Sequence, residues 1–443
     1  DLAALYDTYE RMPSEKYVSP EIMLKIMLYA YHEGKEISSR TIEKNCKRDI
    51  NYMYLLEGRQ APDHAAIARF RTKHFGKCAN LFLSQMTKIL LELKQLTKTE
   101  VFIDGTKIEA SANKYTFVWK KAVTKHQEKY LRKTALLVGD IIERYGCKPL
   151  WRKQVKKKHV KKLLKQLKIE AEKRELEFVS GRGHRKQQLQ KDIEDLEAAL
   201  QKLKEYETKL HRCGARNSYS KTDHDATFMH MKEDHMMNGQ LKPAYNIQHA
   251  VNSGFIVAAK VFPNPTDVMT LKPFMEQMEA SLQFQFERVV ADAGYESEEN
   301  LVYLRDKGIE AYIKPSNYEQ IGTKKFEKEI GRKENMQYDQ AGDYYICHNG
   351  KRVEKTGVKT RKTASGYLRE ETHYECKDCS GCLCKEKCLA GKNWKKPLEE
   401  RNKKLTVSRL FEEMREEEYR LINSEEGKKL RMNRSIQAEG GFA

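Results

Sequence analysis

Two apolar segments of the chain each run into an aspartate. Val101-Phe102-Ile103 ends in Asp104-Gly105-Thr106, and Val289-Val290-Ala291 ends in Asp292-Ala293-Gly294-Tyr295. Both apolar runs read as short buried strands. If those strands lie side by side in one sheet, the two carboxylates converge at one edge. Hard anionic oxygens brought together repel unless a divalent cation sits between them. Mg2+ takes such ligands while keeping waters or substrate phosphate oxygens. A third acid, on a helix against the same edge, would complete a site for two metals, which at about 3.5–4 Å separation serve in-line phosphoryl transfer. An aspartate at a strand end is also a common turn residue or helix cap, and spacing alone leaves both roles open.

A second cluster is built of thiols: Cys376-x2-Cys379-x2-Cys382-x-Cys384-x3-Cys388. A structural Zn2+ on Cys376, Cys379, Cys382 and Cys388 is the metal reading. Three Cys at this spacing also suit iron–sulphur ligation, and reduced thiols in a tight knuckle are the plain alternative. Cys46, Cys78, Cys147 and Cys213 are scattered, which fits a reducing compartment better than a disulfide framework. Positive charge gathers in three places. Arg69, Arg71 and Lys73 follow Pro62-Asp63-His64; Trp151–Lys165 holds eight Lys or Arg, among them Lys156, Lys157, Lys158, Lys161 and Lys162; and Lys242 opens a strand. Each reads as a phosphate contact or as a solvated surface charge.

The elements that must position these groups follow from pattern. Ser19-Pro20-Glu21 starts a helix that Gly34 stops, Ser38-Ser39 starts a second, and Pro62-Asp63-His64 starts a third. Short helices with a basic last one fit a helix-turn-helix-like unit or an ordinary bundle. Leu189, Ile193, Leu196, Leu200 and Leu203 are spaced as a coiled-coil seam. This predicts two long helices folded back at residues 181–184. Ala244–Val251 and Phe255–Phe262 flank Asn252-Ser253-Gly254, a hairpin signal. A helix from about Asp267 to Leu282, a helix at Glu298–Lys307 and a strand at Ile309–Ile313 complete an α/β pattern. Residues 320–395 read as irregular or β-rich, and residues 398–443 as helical.

At 443 residues the length allows about three domains. No apolar run approaches the ~18 residues of a spanning helix. The formal charge of +19 calls for an anionic partner, nucleic acid before a membrane surface. Nothing at the start resembles a signal peptide. The expected compartment is the cytoplasm.

Four stretches together resemble the insertion-sequence transposases of the DDE type. They are Phe102–Ala110, Arg216–Asp223, Val290–Tyr295 and Arg434–Phe442, the last reading Arg-Ser-Ile-Gln-Ala-Glu-Gly-Gly-Phe. Pro20–Phe75 is similar to the helical domain that precedes the core in these enzymes. The resemblance implies an α/β (mixed) fold: a ribonuclease-H-like catalytic core, an N-terminal all-helical domain and a long helical-pair insertion. It divides the chain into a DNA-binding domain (1–95), the first part of the core (96–125), a charged helical insertion (126–212), the second part of the core (213–318), an irregular or β insertion with the Cys cluster (319–396) and a C-terminal core helix (397–443). It makes Asp104, Asp292 and Glu439 the catalytic metal ligands, for two Mg2+ with Mn2+ as a substitute. Glu439 has rivals in Glu425 and Glu426, but its neighbours Ile436, Ala438 and Phe442 suit a helix face turned to a sheet, whereas Lys428 and Lys429 solvate the rivals. Asp223 and Asp225 are further acids expected near the site.

The implied function is transposition. Arg69, Arg71, Lys73, Lys156, Lys157, Lys158, Lys161, Lys162 and Lys242 would contact double-stranded DNA, both element terminal repeats and target, in a homodimer or higher multimer in the bacterial cytoplasm. An inactive DNA-binding relative and a metal-dependent nuclease on the same fold are the alternatives. Both chain ends read as cut, and Glu439 lies four residues before Ala443. The expectation is a frayed last turn that leaves the core folded but cleavage weak.

Overall fold

The computed structural model describes residues 1–10, 18–34, 37–147, 155–181, 185–231, 239–389 and 396–439. It divides into two units: residues 1–105, 248–260 and 267–443 form the first, and residues 106–247 and 261–266 the second.

In the first unit the N-terminal helices start where the sequence offers a cap. Ser19 accepts from the Ile22 N–H ahead of Pro20–His32, Ser38 from the Thr41 N–H ahead of Ser39–Cys46, and Asp63 from the Ala66 N–H ahead of His64–Arg69. These bonds satisfy N–H groups that a helix start otherwise leaves open. An additional short helix, Ile50–Leu55, begins at Asp49. Ile26, Met27, Ile42, Tyr52, Ile67 and Phe70 form the buried centre of this region.

The core of the same unit is a sheet. Five of its six strands are β1 (Glu100–Glu109), β2 (Leu241–Asn252), β3 (Phe255–Phe262), β4 (Arg288–Ala291) and β5 (Glu310–Ile313). The sixth, Thr227–His230, pairs antiparallel with the start of β2, and it, residues 106–109, 241–247 and 261–262 belong to the second unit. They lie in the order β2-β1-β4-β5, with β3 on β2. That is the strand order of the ribonuclease-H-like core, and the fold is mixed α/β as expected. Ser253 at φ 51° and Gly254 at φ 82° turn β2 into β3, the left-handed pair that a tight hairpin needs. β1 runs parallel to β4, with Val101 opposite Val289 and Phe102 opposite Val290.

The stretch expected to be irregular or β-rich forms a second sheet, an antiparallel array of Gln337–Asp339, Tyr344–Ile346, Arg352–Lys362, Leu368–Glu375 and Lys404–Val407, of which only the last strand falls where helix was expected. Two helices follow, Arg409–Asn423 and Glu425–Arg434, then a wider turn at Ser435–Glu439. Ser424 caps the second through the Gly427 N–H. A Cβ on Gly427 would stand 2.1 Å from the Leu421 carbonyl oxygen, so the corner closes only on glycine. Leu430 and Ala438 then pack on Phe102, Val251, Val290 and Tyr312, which fixes the last helix to the sheet.

The second unit corrects the expected helical pair. Among the described residues it holds three helices, Lys120–Tyr145, Lys157–Lys173 and Gln188–Cys213. The Leu189–Leu203 seam is buried against Val160, Leu163 and Leu167 of one helix and Val138 and Ile141 of the other. The first helix contributes few apolar residues to this core and therefore hides in the charge pattern. It ends at Gly146, which adopts the left-handed conformation, the usual helix stop. The expected fold-back at 181–184 falls mostly outside the described residues. Arg144 and Tyr145 close the bundle on buried Asp192 at 2.6 and 2.8 Å.

Glu418 gives this fold a measurable pH dependence. Its side chain accepts from the Ile313 N–H at 2.9 Å at the end of β5. Burial, then the charges of Glu417, Glu296 and Glu310, push its carboxyl from the ordinary 4.5 up to about 8, against the pull of that N–H. A raised carboxyl pKa in the folded state favours the protonated form, so stability falls as pH rises through that window. Glu418→Gln should therefore raise Tm increasingly between pH 5 and 9, with the two proteins converging below pH 5. Thermal unfolding across that range checks it.

Candidate active site

The register of β1 and β4 puts the two aspartates side by side. Phe102 faces Val290, and each aspartate lies two residues further along its strand. Asp104 is buried, and its Oδ1 accepts from the Gly105 N–H at 2.8 Å. Asp292 is half-buried and caps the turn Ala293–Tyr295, its Oδ1 accepting from the Gly294 N–H at 2.8 Å. The guanidinium of Arg434 lies between them, 3.4 Å from Asp104 and 3.8 Å from Asp292. Burial raises the Asp292 carboxyl above its ordinary value, and the charges of Asp104 and Asp267 act the same way; Arg434 and the Gly294 N–H pull it down.

Glu439 ends the turn Ser435–Glu439, on the chain segment that carries Arg434. Its side chain lies outside the described part of the structure, as do Gly440, Gly441 and Phe442. The backbone beside it is held. His249 Nε2 lies 3.2 Å from the Ala438 carbonyl oxygen, which it meets as donor, and Gln437 accepts from the Gly254 N–H at 3.0 Å. Ala438 is fully buried. The residues up to Ala438 are thus anchored to the β2–β3 hairpin. The rivals are committed elsewhere: Glu425 pairs with Lys428 at 2.8 Å and Glu426 with Arg288 at 2.7 Å.

Further side chains at this edge have no counterpart in the expectations. Gln248 of β2 donates to Asp267 Oδ1 at 2.9 Å and accepts from the Tyr295 hydroxyl. Asp267 follows Asn264-Pro265-Thr266 and begins a short turn before an apolar helix, which makes it look like a cap. A signal was present in Asn246, Gln248 and His249, polar residues gathered in a strand that reads as buried.

The other expected contacts are dispersed. Arg69 and Lys73 are exposed, whereas Arg71 is half-buried and donates to the Ile37 carbonyl at 2.9 Å. In the second unit Lys156, Lys158, Lys161 and Lys162 are exposed, and Lys157 pairs with Glu207. Arg152 and Lys153 lie outside the described residues. Lys242 pairs with Glu109 at 2.7 Å. Asp223 caps a turn through the Asp225 N–H and accepts from Tyr245 at 2.7 Å, also in the second unit.

The thiol cluster closes on a small cavity. Cys376, Cys379, Cys382 and Cys388 line it and Cys347 joins them, while Cys384 does not. Burial pushes the Cys376 thiol up to about 11 and raises that of Cys388. Among the described residues no group of three or more His, Cys, Asp or Glu side chains is laid out to hold a metal ion. The zinc expectation therefore finds packed thiols in place of a ligand set. The Asp104–Asp292 edge is different in kind. It already accommodates a cationic side chain, and Mg2+ needs only one or two protein carboxylates, so the edge fits a hard divalent cation. No helix among the described residues is long and apolar enough to cross a membrane.

Three family models match the chain. Two are described as a transposase DDE domain, over residues 216–383 and 346–443, and one as a transposase domain (DUF772), over residues 1–73. No curated protein and no solved structure matches it.

The electrostatics of the edge are open to a direct check. Because burial penalises the ionised Asp292, the wild-type protein should lose stability as pH rises above the ordinary aspartate range. Asp292→Asn keeps an acceptor for the Gly294 N–H and removes the charge. In EDTA at pH 7 it should raise Tm. Added Mg2+ should raise Tm of the wild type and leave that of the variant unmoved. A lowered Tm in EDTA would contradict this reading.

Proposed function

For a chain that belongs to the DDE-type transposases of insertion sequences, we propose that it binds the ends of its element and catalyses metal-dependent phosphodiester cleavage followed by strand transfer. The observation that carries this is the parallel register that sets Asp104 level with Asp292, with a cation, Arg434, already between them.

Asp104 and Asp292 are the protein's ligands for divalent ions, Mg2+ or Mn2+, and Glu439 is the third. Bound there, such ions supply the Lewis acid that activates the attacking oxygen and stabilises the leaving one. The chain's own residues set the geometry. β1 and β4 hold two carboxylates on rigid strands, and the Gly427 corner brings Arg434 to the same edge. Arg434 offsets their repulsion and presents positive charge where a phosphate arrives. His249 and Gln437 anchor the backbone that leads to Glu439. The reaction is in-line attack on a phosphodiester, first by water and then by the freed 3′-hydroxyl on target DNA. Arg69, Lys73 and the exposed lysines of Lys157–Lys173 and its cap add phosphate contacts. The protein acts as a homodimer or higher multimer on DNA in the cytoplasm.

Asp104→Asn, Asp292→Asn and Glu439→Gln each remove a ligand charge and keep the shape. Each should abolish Mg2+-dependent cleavage of a duplex carrying the element end and leave DNA binding intact or tighter, by gel shift. Cleavage without joined product would make the protein a nuclease; binding without cleavage in the wild type would make it an inactive relative.

DNA affinity should fall with salt at about −0.9 in log–log slope per phosphate contacted. Replacing Lys156, Lys158, Lys161 and Lys162 by Gln should flatten the slope. An unchanged slope would make that helix face solvent only.

A further inference from the structure

Gln248 is completely buried in β2, and its amide touches both the strand residue that follows Asp104 and the turn that follows Asp292. On one side it lies against Gly105, next to Asp104. A Cβ on Gly105 would stand 2.2 Å from Gln248 Nε2, so the amide packs on the bare Cα. On the other side its Oε1 accepts from the Tyr295 hydroxyl. Tyr295 is fully buried and closes the turn that Asp292 caps. The third contact is Asp267, whose Oδ1 accepts from Nε2 at 2.9 Å.

Asp267 decides which way round the amide sits. A carboxylate only accepts, so Nε2 must face it, and Oε1 is left to face the phenol, which must donate. Burial and the charges of Asp267, Asp104 and Asp292 raise the Tyr295 phenol well above its ordinary value, so the proton stays on it. Asn300 ties the turn that Asp267 begins to the turn that follows Asp292, donating to the carbonyls of Val268 at 2.9 Å and Tyr295 at 2.8 Å. The other oxygen of Asp267 lies towards Asp292. The point where a Gly294 Cβ would sit is 3.4 Å from Asp267 Oδ2 and 2.9 Å from Asp292 Oδ1.

We propose that Gln248 and Asp267 are positioning residues of the cation site: Asp267 orients the Gln248 amide, and the amide, wedged between Gly105 and Tyr295, fixes the separation of Asp104 and Asp292. The proposal rests on reading those two aspartates as the ligands. A divalent ion that must bridge two carboxylates is sensitive to their spacing, and outer partners of ligands typically change metal affinity or activity about 10–100-fold when removed. A merely structural amide would change folding stability and leave the affinity of the folded protein alone.

The test uses the full chain and Mn2+ alone, titrated calorimetrically, with Tm in EDTA recorded for each variant. Asp104→Asn is the reference for loss of a ligand. Gln248→Met keeps the volume and removes the amide; Tyr295→Phe removes only the hydroxyl and serves if the first variant does not fold. Both should weaken Mn2+ binding about 10-fold or more while remaining folded. Asp267→Ala should do the same. Asp267→Asn keeps an acceptor for Gln248 without the charge, and should recover most of the affinity lost in Asp267→Ala. Unchanged Mn2+ affinity in folded Gln248→Met or Tyr295→Phe overturns the proposal, and so does an Asp267→Asn variant as weak as Asp267→Ala. If Asp104→Asn itself binds Mn2+ like the wild type, the ligand reading has failed and the proposal falls with it, by a distinct signature.

Discussion

Two carboxylates level with one another on adjacent parallel strands repel, and the rest of the first unit is arranged around that repulsion. Burial makes it worse, because Asp104 is almost without solvent contact and water screens the pair poorly. The structure answers with one cation. Arg434 reaches both carboxylates because its helix leaves a corner that only glycine fits and then packs Leu430 and Ala438 on the sheet. With Asp267 also facing the edge, three carboxylates of the described residues gather beside the Arg434 guanidinium. A site in that condition favours a divalent cation and then a phosphate carried with it. Hydrophobic packing elsewhere supplies the stability that lets such a site persist.

Much of this frame was legible in the sequence, for identifiable reasons. The apolar runs leading into Asp104 and Asp292 stand out because buried parallel strands are short unbroken apolar runs, although β1 continues past Asp104 to Glu109. The β2–β3 hairpin is announced by Asn252-Ser253-Gly254, and the N-terminal helices by Ser19, Ser38 and Asp63. These signals are local, written in caps and turns. What was not legible depends on tertiary contact. Arg434 stood in full view inside a matched stretch, yet nothing in its neighbours says that it faces Asp104, more than three hundred residues away. Asp267 looks like a cap because it begins a turn before an apolar helix; its side chain's role exists only once β2 brings Gln248 to it. The helix Lys120–Tyr145 was missed because most of its surface is charged and its buried face is sparse. The strands between residues 337 and 407 were only faintly visible, since half-exposed antiparallel strands such as Arg352–Lys362 are mostly polar.

The thiol cluster shows how spacing can point to more chemistry than packing delivers. Five sulphurs do line one cavity, but among the described residues they are not laid out as a set of metal ligands. The basic residues teach the same lesson. Arg71, Lys157 and Lys242 are spent on Ile37, Glu207 and Glu109, which leaves Arg69, Lys73 and the neighbouring lysines of the second unit as the charges still turned to solvent.

The central claim is that a divalent cation sits between Asp104 and Asp292 at the sheet edge. Fe2+ substituted for Mg2+ tests it most directly, because with ascorbate and peroxide it cleaves the backbone within reach of the bound ion. The account predicts scission near residues 104–105, 267 and 292–294 and near Arg434–Glu439, all suppressed together by excess Mg2+. Cuts confined to the cysteine knuckle, or no Mg2+-sensitive cut at either aspartate, would contradict it.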